Sequence, residues 1–520
     1  MSQQLFNKLL DYYGINESEY QDLIKPVDES SFAYGHHFKD IEKAHVLLDE
    51  VIANNGKIVI YGDYDADGVM GTSILVKMLL YKNVHPSYYL PNRYVDGYGL
   101  TLEKAKEYVE NKYDLVICVD NGIAAIEPIK YLKEHGVKVL VLDHHELQGE
   151  LPPADVILHP IYSNFGSVAS SGAFVAFMFS IEFLGFFDKY LSILASISLI
   201  SDMMPLKEYN RNLLRLVFSN YHDGEFFTID ALKEMEPFNE VTIGMKIAPK
   251  INAIGRMIDG NEINNLVEYF TSSKKDELLH YIEWINSTNE DRKNLSKEVA
   301  QQLENFSSEE KGIVYISNVK EGLLGLIANG LVNKYRVPTL VMALEKSGES
   351  YKGSCRAPEG FNVVKSFEAL KDYFEAFGGH PGAGGCTVKK EKIDAFKNAF
   401  LNYCETHPLE KIEKPYIDLS ITDINLDNLR LIETFSPFGE AFPRPLLKIS
   451  NVHVPSLFFS RNGEHLISKI GQNAKLTGFG ISRSSLEGYR YIDIYGSLRE
   501  SIFNGYITTE FVINDYQKHN

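Results

Sequence analysis

Four short apolar runs, Lys57–Ile60, Leu115–Val119, Val137–Leu142 and Val156–Leu158, recur in the first third of the chain, with helical-length segments between them. Their unbroken, β-branched character is that of strands buried on both faces, and the alternation predicts a parallel βα sheet. An apolar helical pattern, Ile74–Leu80, follows the first run. The most apolar stretches, Ala173–Phe187 and Leu191–Ile200, are interrupted by Glu182, Asp188 and Lys189. They are too short to span a bilayer and read as buried helices. Pro249–Met257 reads as a loop that turns at Gly255. Farther on, Leu278, Leu279, Ile282, Ile285, Leu295, Val299 and Leu303 recur at helical spacing and predict a long linking helix. Gly312–Ile316 and Pro338–Met342 then restart a strand-and-helix pattern. After Pro415 the runs Leu446–Ile449, His465–Ile470, Lys475–Phe479, Tyr491–Tyr495 and Tyr506–Ile513 predict a small all-β barrel of the OB type.

These patterns divide the chain into an N-terminal helical segment (1–45), a parallel-sheet α/β domain (46–274), the linking helix (275–305), a second α/β domain (306–414) and the β domain (415–520). A length of 520 residues fits several cores rather than one. Apolar content of 44% and charged content of 23% place the chain among soluble globular proteins. Four scattered cysteines form neither a metal-ligand spacing nor a disulfide framework, and Met1-Ser-Gln-Gln-Leu5 lacks a basic-then-apolar leader. Both point to the cytoplasm, with no membrane partner. The net charge of −18 argues against a generic nucleic-acid coat. It leaves room for a local basic groove, because attraction to phosphate is screened beyond about 8–10 Å.

The chemistry gathers where the apolar runs end. Asp63, Asp65 and Asp67 follow the first run, Asp120 the second, Asp143-His144-His145-Glu146 the third and His159 the fourth. Ligands in open α/β sheets bind at the carboxyl edge of the strands, where these side chains can converge. Clustered carboxylates repel one another unless cations neutralise them. A calcium loop counted from Asp63 would need a Glu at its twelfth position, which is Ile74. Asp202, ending the apolar run from Ala195, is a further ligand candidate. Carboxylates with one or two imidazoles suit Mn²⁺ or Mg²⁺, and two such ions can drive phosphoester hydrolysis. The uncharged start at Ser170-Ser171-Gly172-Ala173 is compatible with phosphate contact at a helix N-terminus. Arg256 could clamp phosphate, and Gly353-Ser354-Cys355-Arg356 offers a hydroxyl and a guanidinium on one face if extended. Phe377–Gly385, five glycines around His380, reads as a loop that brings backbone N–H groups to an anion. In the C-terminal domain Arg461, Lys469, Lys475, Arg483, Arg490 and Arg499 are interleaved with aromatic residues, among them Phe458, Phe459 and Phe479, a composition suited to single strands. No P-loop pattern is present, which argues against ATP-driven chemistry.

Asp63-x-Asp65-x-Asp67-Gly68, Val119-Asp120, Asp143-His144-His145 and Ser201-Asp202, in that order, resemble the DHH phosphoesterase superfamily. Pro91-Asn-Arg93 with Gly97-Tyr-Gly99, Asn252-Ala-x-Gly-Arg256, Gly353-Ser-x-Arg356, Gly379-His380-Pro-Gly-Ala-Gly-Gly385 and Pro437-Phe-Gly439 are similar to its branch of single-strand-specific 5′→3′ exonucleases. The resemblance implies a DHH domain, a connecting helix, a DHH-associated domain and an OB-fold. It also implies two Mn²⁺ or Mg²⁺ ions held by Asp65, Asp67, Asp120, His144 and Asp202, with Asp63 adding to the cluster. His145, grouped with Asp143 as catalytic, would contact the scissile phosphate. Arg93, Arg256, Ser354 and Arg356 resemble a pocket for the 5′-phosphate end, and His380 joins the substrate-binding set. Single-stranded DNA is the implied substrate, in repair and recombination, with a single-strand-binding protein and a helicase as partners. Two other readings remain open: a phosphodiesterase for short oligonucleotides or nucleotide second messengers, and a non-catalytic scaffold. Val319-Lys320 and Ala441-Phe442 depart from the family pattern, which usually has Trp-His and Gly-Asn there.

Overall fold

The computed structural model describes residues 3–32, 38–147, 149–163, 165, 169–302, 310–410, 412, 414–471, 473–503 and 506–519. They group into two compact units that do not follow chain order. One holds residues 32–204 and 221–412, the other 1–31, 205–220 and 413–520.

The larger unit carries two sheets. In the first, β1 (Ile58–Tyr61), β2 (Ser87–Tyr89), β3 (Leu115–Val119), β4 (Lys138–Leu142) and β5 (Val156–Leu158) lie in the order β2-β1-β3-β4-β5, all parallel. β1 and β3 are buried at every position, as their unbroken apolar runs require. β2 escaped the sequence pattern because Ser87-Tyr88-Tyr89 is short, half-exposed and polar-edged. The helices Ala66–Tyr81, Gly172–Leu184 and Lys189–Ser201 are apolar nearly all round and almost wholly buried, so they pack as core rather than as amphipathic cover.

Pro249–Met257 is not the expected loop. It belongs to a helix, Ala248–Met257, entered from a π-helical turn at Ile243–Ile247 with Pro249 in its first turn, where a missing N–H costs nothing. Gly255 serves close approach rather than a turn, since a Cβ there would lie 2.4 Å from the Tyr64 carbonyl oxygen. The linking helix runs Lys275–Gln302, with Leu278, Ile282, Ile285 and Val299 buried. The expected residues 303–305, Leu303 among them, and the start of the second domain at 306–309 lie outside the described residues.

The second sheet has the order β6 (Ile313–Ser317), β7 (Thr339–Leu344), β8 (Ser350–Arg356), β10 (Ala383–Lys389), β9 (Phe374–His380). β6 and β7 are parallel and the remaining pairs antiparallel. The glycine run Phe377–Gly385 is therefore a hairpin of two paired strands, turning at Pro381-Gly382, and not a loop. Glycine is needed because the strands crowd their neighbours. A Cβ on Gly384 would sit 2.8 Å from both Val363 and Phe367, and one on Gly379, with φ +143°, 2.3 Å from the Ala383 carbonyl oxygen.

The smaller unit is built on a six-stranded sheet formed by β11 (Ile417–Leu419), β12 (Leu447–His453), β13 (Leu466–Ile470), β14 (Ala474–Gly478), β15 (Tyr491–Phe503) and β16 (Tyr506–His519), in the order β11-β12-β15-β16-β14-β13. The helices Gln3–Tyr13, Glu17–Ile24 and Glu208–Asn220 belong to it. Leu5, Leu9 and Tyr20 share its core with Phe435, Ile449 and Phe511. Arg211 donates to the carbonyls of Phe435 (2.7 Å) and Pro437 (2.8 Å), which fixes the Pro437-Phe-Gly439 turn. The departure at Phe442 is accounted for here: its ring stacks on Tyr13 at 4.4 Å and carries the Arg211 guanidinium at 4.3 Å. Two of the basic residues expected to face nucleic acid are committed elsewhere, since Lys475 and Arg499 pair with the buried Glu510.

Candidate metal centre and phosphate pocket

The chain leaves β1 in a turn so tight that only glycine fits at two places. A Cβ on Gly62 would lie 2.1 Å from Thr72 Oγ1, and one on Gly68 2.4 Å from the Asp63 nitrogen. Asp65 caps the helix that follows, accepting from the N–H groups of Asp67 (2.9 Å) and Gly68 (3.1 Å). Asn252, quoted in the sequence without a role, accepts from the Ala66 N–H at 2.9 Å and holds the same helix end. Asp67 accepts from the N–H groups of Gly172 and Ala173, each at 2.7 Å, and from Ser198 Oγ. The helix N-terminus at Gly172 is thus occupied by a carboxylate of this chain rather than open to phosphate. Asp120 stands just past β3 with φ +60°, and Gly172 leaves room for it: a Cβ there would be 2.7 Å from the Asp120 Cβ.

His144 draws the strand ends together. Its Nε2 lies 3.1 Å from Asp120 Oδ1 and 3.4 Å from both Asp67 Oδ2 and Asp202 Oδ2. Three ligand groups result, Asp63/Asp65/Asp120, Asp67/His144/Asp202 and Asp120/His144/His145, each with donor atoms within 4.8 Å of one another. Asp120 and His144 are each shared by two of these groups, so the set could hold two adjacent cations. Burial, joined by the neighbouring carboxylates, pushes Asp63, Asp65 and Asp120 above the usual carboxylate range and Asp202 up to about 8. Burial holds His144 down, toward the neutral form that ligates metals. Asp63 Oδ1 and Asp120 Oδ2 are buried without a hydrogen-bond partner. Orphaned, mutually repelling carboxylate oxygens with one imidazole fit Mn²⁺ or Mg²⁺.

Asp143 is different. Its Oδ1 accepts from the His144 N–H (2.7 Å) and from His145 Nδ1 (2.8 Å), and its Oδ2 from the Ile123 N–H (2.9 Å). Burial works against its charge, but His145 and these N–H groups outweigh it and bring the carboxyl down to about 2. Asp143 lies outside the three ligand groups and holds His145 by its Nδ1. Burial likewise opposes charge on His145, yet Asp143, Asp67 and Asp202 push it up to about 9. The Tyr98 hydroxyl sits 2.9 Å from His145 Nε2, a contact that sequence spacing did not single out. His159, the fourth strand-end residue, is no ligand: it is buried, meets the His145 carbonyl at 3.0 Å through Nε2 and accepts from Ile161 N at Nδ1.

Arg93, Arg256, Ser354 and Arg356, from three separate stretches of sequence, line one cavity of about 500 Å³ with Gly325, Lys352 and Phe377. β8 is extended, so Ser354 and Arg356 share a face, and Arg356 donates to Ser354 Oγ at 3.0 Å. The Arg93 guanidinium lies 4.3 Å over the ring of Tyr64, between Asp63 and Asp65, which joins the pocket to the acidic turn. His380 is not in this pocket. It lines a second cavity, of about 510 Å³, with Tyr98, Ile123 and His145. Asn121 was also missed; its amide ties the ends of β1 and β3 through Gly62 O (3.0 Å) and Val119 O (2.9 Å).

Three family models match successive parts of the chain: the DHH family N-terminal domain over residues 57–198, the DHHA1 domain over 309–406 and the RecJ OB domain over 417–515. The single-stranded-DNA-specific exonuclease RecJ of Bacillus subtilis is 28% identical over 98% of this chain and 67% of its own length. RecJ from Thermus thermophilus, crystallised with Mn²⁺, superposes with a TM-score of 0.84 at 24% identity, covering 99% of this chain and 76% of that one. A second exonuclease RecJ, bound to manganese, gives a TM-score of 0.61 at 26% identity over 74% of this chain and 96% of that one.

Proposed function

The chain belongs to the RecJ branch of the DHH phosphoesterases, and we infer that it is a metal-dependent exonuclease that degrades single-stranded DNA from its 5′ end to 5′-mononucleotides. The observation that carries this reading is the junction of a two-cation centre with a guanidinium pocket through one short turn. Tyr64 lies between two carboxylates of the centre and beneath Arg93 of the pocket. Gly255 touches its carbonyl, and Arg256 follows directly.

Asp63, Asp65, Asp67, Asp120, His144 and Asp202 would hold two Mn²⁺ or Mg²⁺ ions, which supply an activated water and neutralise charge on the phosphodiester. Around them the protein's own groups bind and orient. Arg93, Arg256, Ser354 and Arg356 anchor the terminal phosphate, which exposes more oxygens and charge than an internal one and so selects a chain end. A 5′ phosphate anchored there sets the first phosphodiester at the adjoining acidic turn. His145, kept protonated by Asp143, offers a positive N–H toward the reacting phosphate once Nε2 leaves Tyr98. His380 lines the second cavity together with His145, which supports a contact with the strand beyond the cleaved bond.

In the smaller unit, Phe458 (66% exposed) and Phe479 (63% exposed) offer stacking faces for single-stranded bases. Among the described residues no helix is long and apolar enough to cross a membrane, and the four cysteines are free and buried. That cysteine usage supports a cytoplasmic site of action, with a single-strand-binding protein and a helicase as proposed partners.

Asp120→Ala tests the centre most cleanly, because Asp67 also holds a helix end whereas Asp120 Oδ2 has no other duty. The variant should keep a native circular-dichroism spectrum and lose at least about 10³-fold in turnover with Mn²⁺. Near-normal turnover in the folded variant would refute the assignment.

A further inference from the structure

The guanidinium pocket holds more positive charge than one terminal phosphate requires. Among the described residues, Arg93, Arg256 and Arg356 have no carboxylate within ion-pair distance, and Lys352 is balanced by Glu321 at 3.2 Å. A fourth guanidinium, that of Arg292, lies near Arg256 without itself lining the cavity. Arg292 lies on the linking helix, which packs against the helix carrying Arg256. It too has no carboxylate within ion-pair distance, Glu290 acting on it only from farther off, and its Nε is buried without a hydrogen bond, as is Arg93 Nε. Burial brings Arg256 down to about 10, with Arg93, Arg292 and Arg356 adding to the effect, which marks the four as one crowded group.

A terminal phosphomonoester carries about −1.5 to −2 at neutral pH, and two forked guanidiniums with one hydroxyl already satisfy its oxygens. Each further phosphoryl group on the end would add a negative charge and new acceptors for the donors left over. Buried donors without partners are costly, so an anion that reaches them gains more than surface attraction would give.

We propose that Arg292 extends the terminal-phosphate pocket, so that it accepts 5′ ends bearing a triphosphate as well as a monophosphate. This rests on the 5′-phosphate reading above and deepens it. The chemistry is unchanged: water attacks the first phosphodiester phosphorus, the P–O3′ bond breaks, and the leaving 3′ oxygen takes a proton. The phosphate stays on the shortened chain, so the first product from a triphosphate end is an intact nucleoside triphosphate, and every later product is a monophosphate.

The test uses three single strands of one sequence with a 5′-hydroxyl, a 5′-monophosphate or a 5′-triphosphate, incubated with the full chain and Mn²⁺. Products are resolved by chromatography, and affinities are measured in the Asp120→Ala background. The triphosphate strand should bind at least as tightly as the monophosphate strand and release a nucleoside triphosphate first. Adding Arg292→Ala should weaken triphosphate binding by about tenfold more than monophosphate binding, and Arg292→Lys, which keeps the charge, should recover part of the loss. If the triphosphate strand binds no better than the hydroxyl strand while the monophosphate strand binds well, the inference fails and the 5′-phosphate reading stands. If monophosphate and hydroxyl strands bind alike, that reading fails first and takes the inference with it. Equal losses for both phosphorylated ends in Arg292→Ala would remove Arg292 from the extension.

Discussion

Asp143 spends its oxygens on the backbone N–H groups of Ile123 and His144 and on Nδ1 of His145, so Asp143→Asn should act through His145 rather than through the metals. An amide in that place carries no charge to hold the imidazolium. Turnover should fall by about 10–100-fold, and the basic limb of the pH–rate profile should move to lower pH, because His145 loses the main group that raises it. A drop in turnover with an unmoved profile would make Asp143 a folding residue only. The ligand carboxylates give a second expectation. Asp202 titrates at about 8 when folded without metal and near 3.8 when unfolded. Between those values the folded protein holds a proton that the unfolded chain has released, so the metal-free protein loses stability as pH rises through that window. Metal binding must expel such protons, and added Mn²⁺ should therefore raise Tm more at about pH 8.5 than at about pH 6. A larger gain at the lower pH would contradict the placement of these carboxylates. The acidic and imidazole cluster was legible in the sequence because Asp63, Asp65, Asp67, Asp120 and His144 follow buried strands at one sheet edge and Asp202 ends a buried helix. Tyr98, Asn121 and Arg292 were not, since a tyrosine in a glycine turn, a lone asparagine and an arginine on a charged helix look like ordinary surface residues until the fold brings them inward.

Glycine marks the elements that the centre cannot do without. Gly172→Ala would drive a Cβ to 2.7 Å from the Asp120 side chain and 2.8 Å from its Cα. Because Asp120 is pinned between β3 and the Gly172 helix, the clash should cost about 1–3 kcal/mol in unfolding stability and lower Mn²⁺ affinity as well. Gly330→Ala, on an open helix face with nothing within 4 Å, is the control: it should leave Mn²⁺ affinity unchanged and raise stability by up to about 1 kcal/mol, the helix preference of alanine over glycine. Chemical denaturation and a Mn²⁺ titration on both variants measure this; equal behaviour of the two would mean that the Asp120 turn yields easily. Strands β1, β3, β4 and β5 were readable from hydrophobic continuity alone. The helix at Ala248–Met257 and the hairpin at Phe377–Gly385 were misread for one reason: Pro and Gly were taken as signs of loops. In this fold they mark a helix entry and strands that need close approach.

At the scale of the molecule, linear order hides how the smaller unit is built. Residues 1–31 and 205–220 belong to it with 413–520. A cut near Pro415 would strip Leu5, Leu9 and Tyr20 of their core and leave Arg211 without the carbonyls it bonds. Such a truncation should aggregate and is a poor probe of the C-terminal domain. The double substitution Phe458→Ala, Phe479→Ala removes two exposed rings and spares the core. It should weaken binding of long single strands by about 1–3 kcal/mol for each base that loses its stack, with Tm unchanged. Unaltered affinity would remove these rings from the binding face. Composition did forecast a basic, aromatic domain, but not that Lys475 and Arg499 are consumed by Glu510, because a cross-strand partner is invisible in sequence.

A two-cation centre beside a terminal-phosphate pocket should remove nucleotides one at a time from the 5′ end of a single strand. The most direct measurement is a time course with Mn²⁺ on a 5′-phosphorylated strand labelled at its 3′ end, run beside the same strand annealed to its blunt-ended complement. The expected result is a descending ladder of 3′-labelled products from the single strand, mononucleotides as the released species, and little change in the duplex. Immediate release of the 3′ label as a mononucleotide, or equal digestion of the duplex, would contradict it.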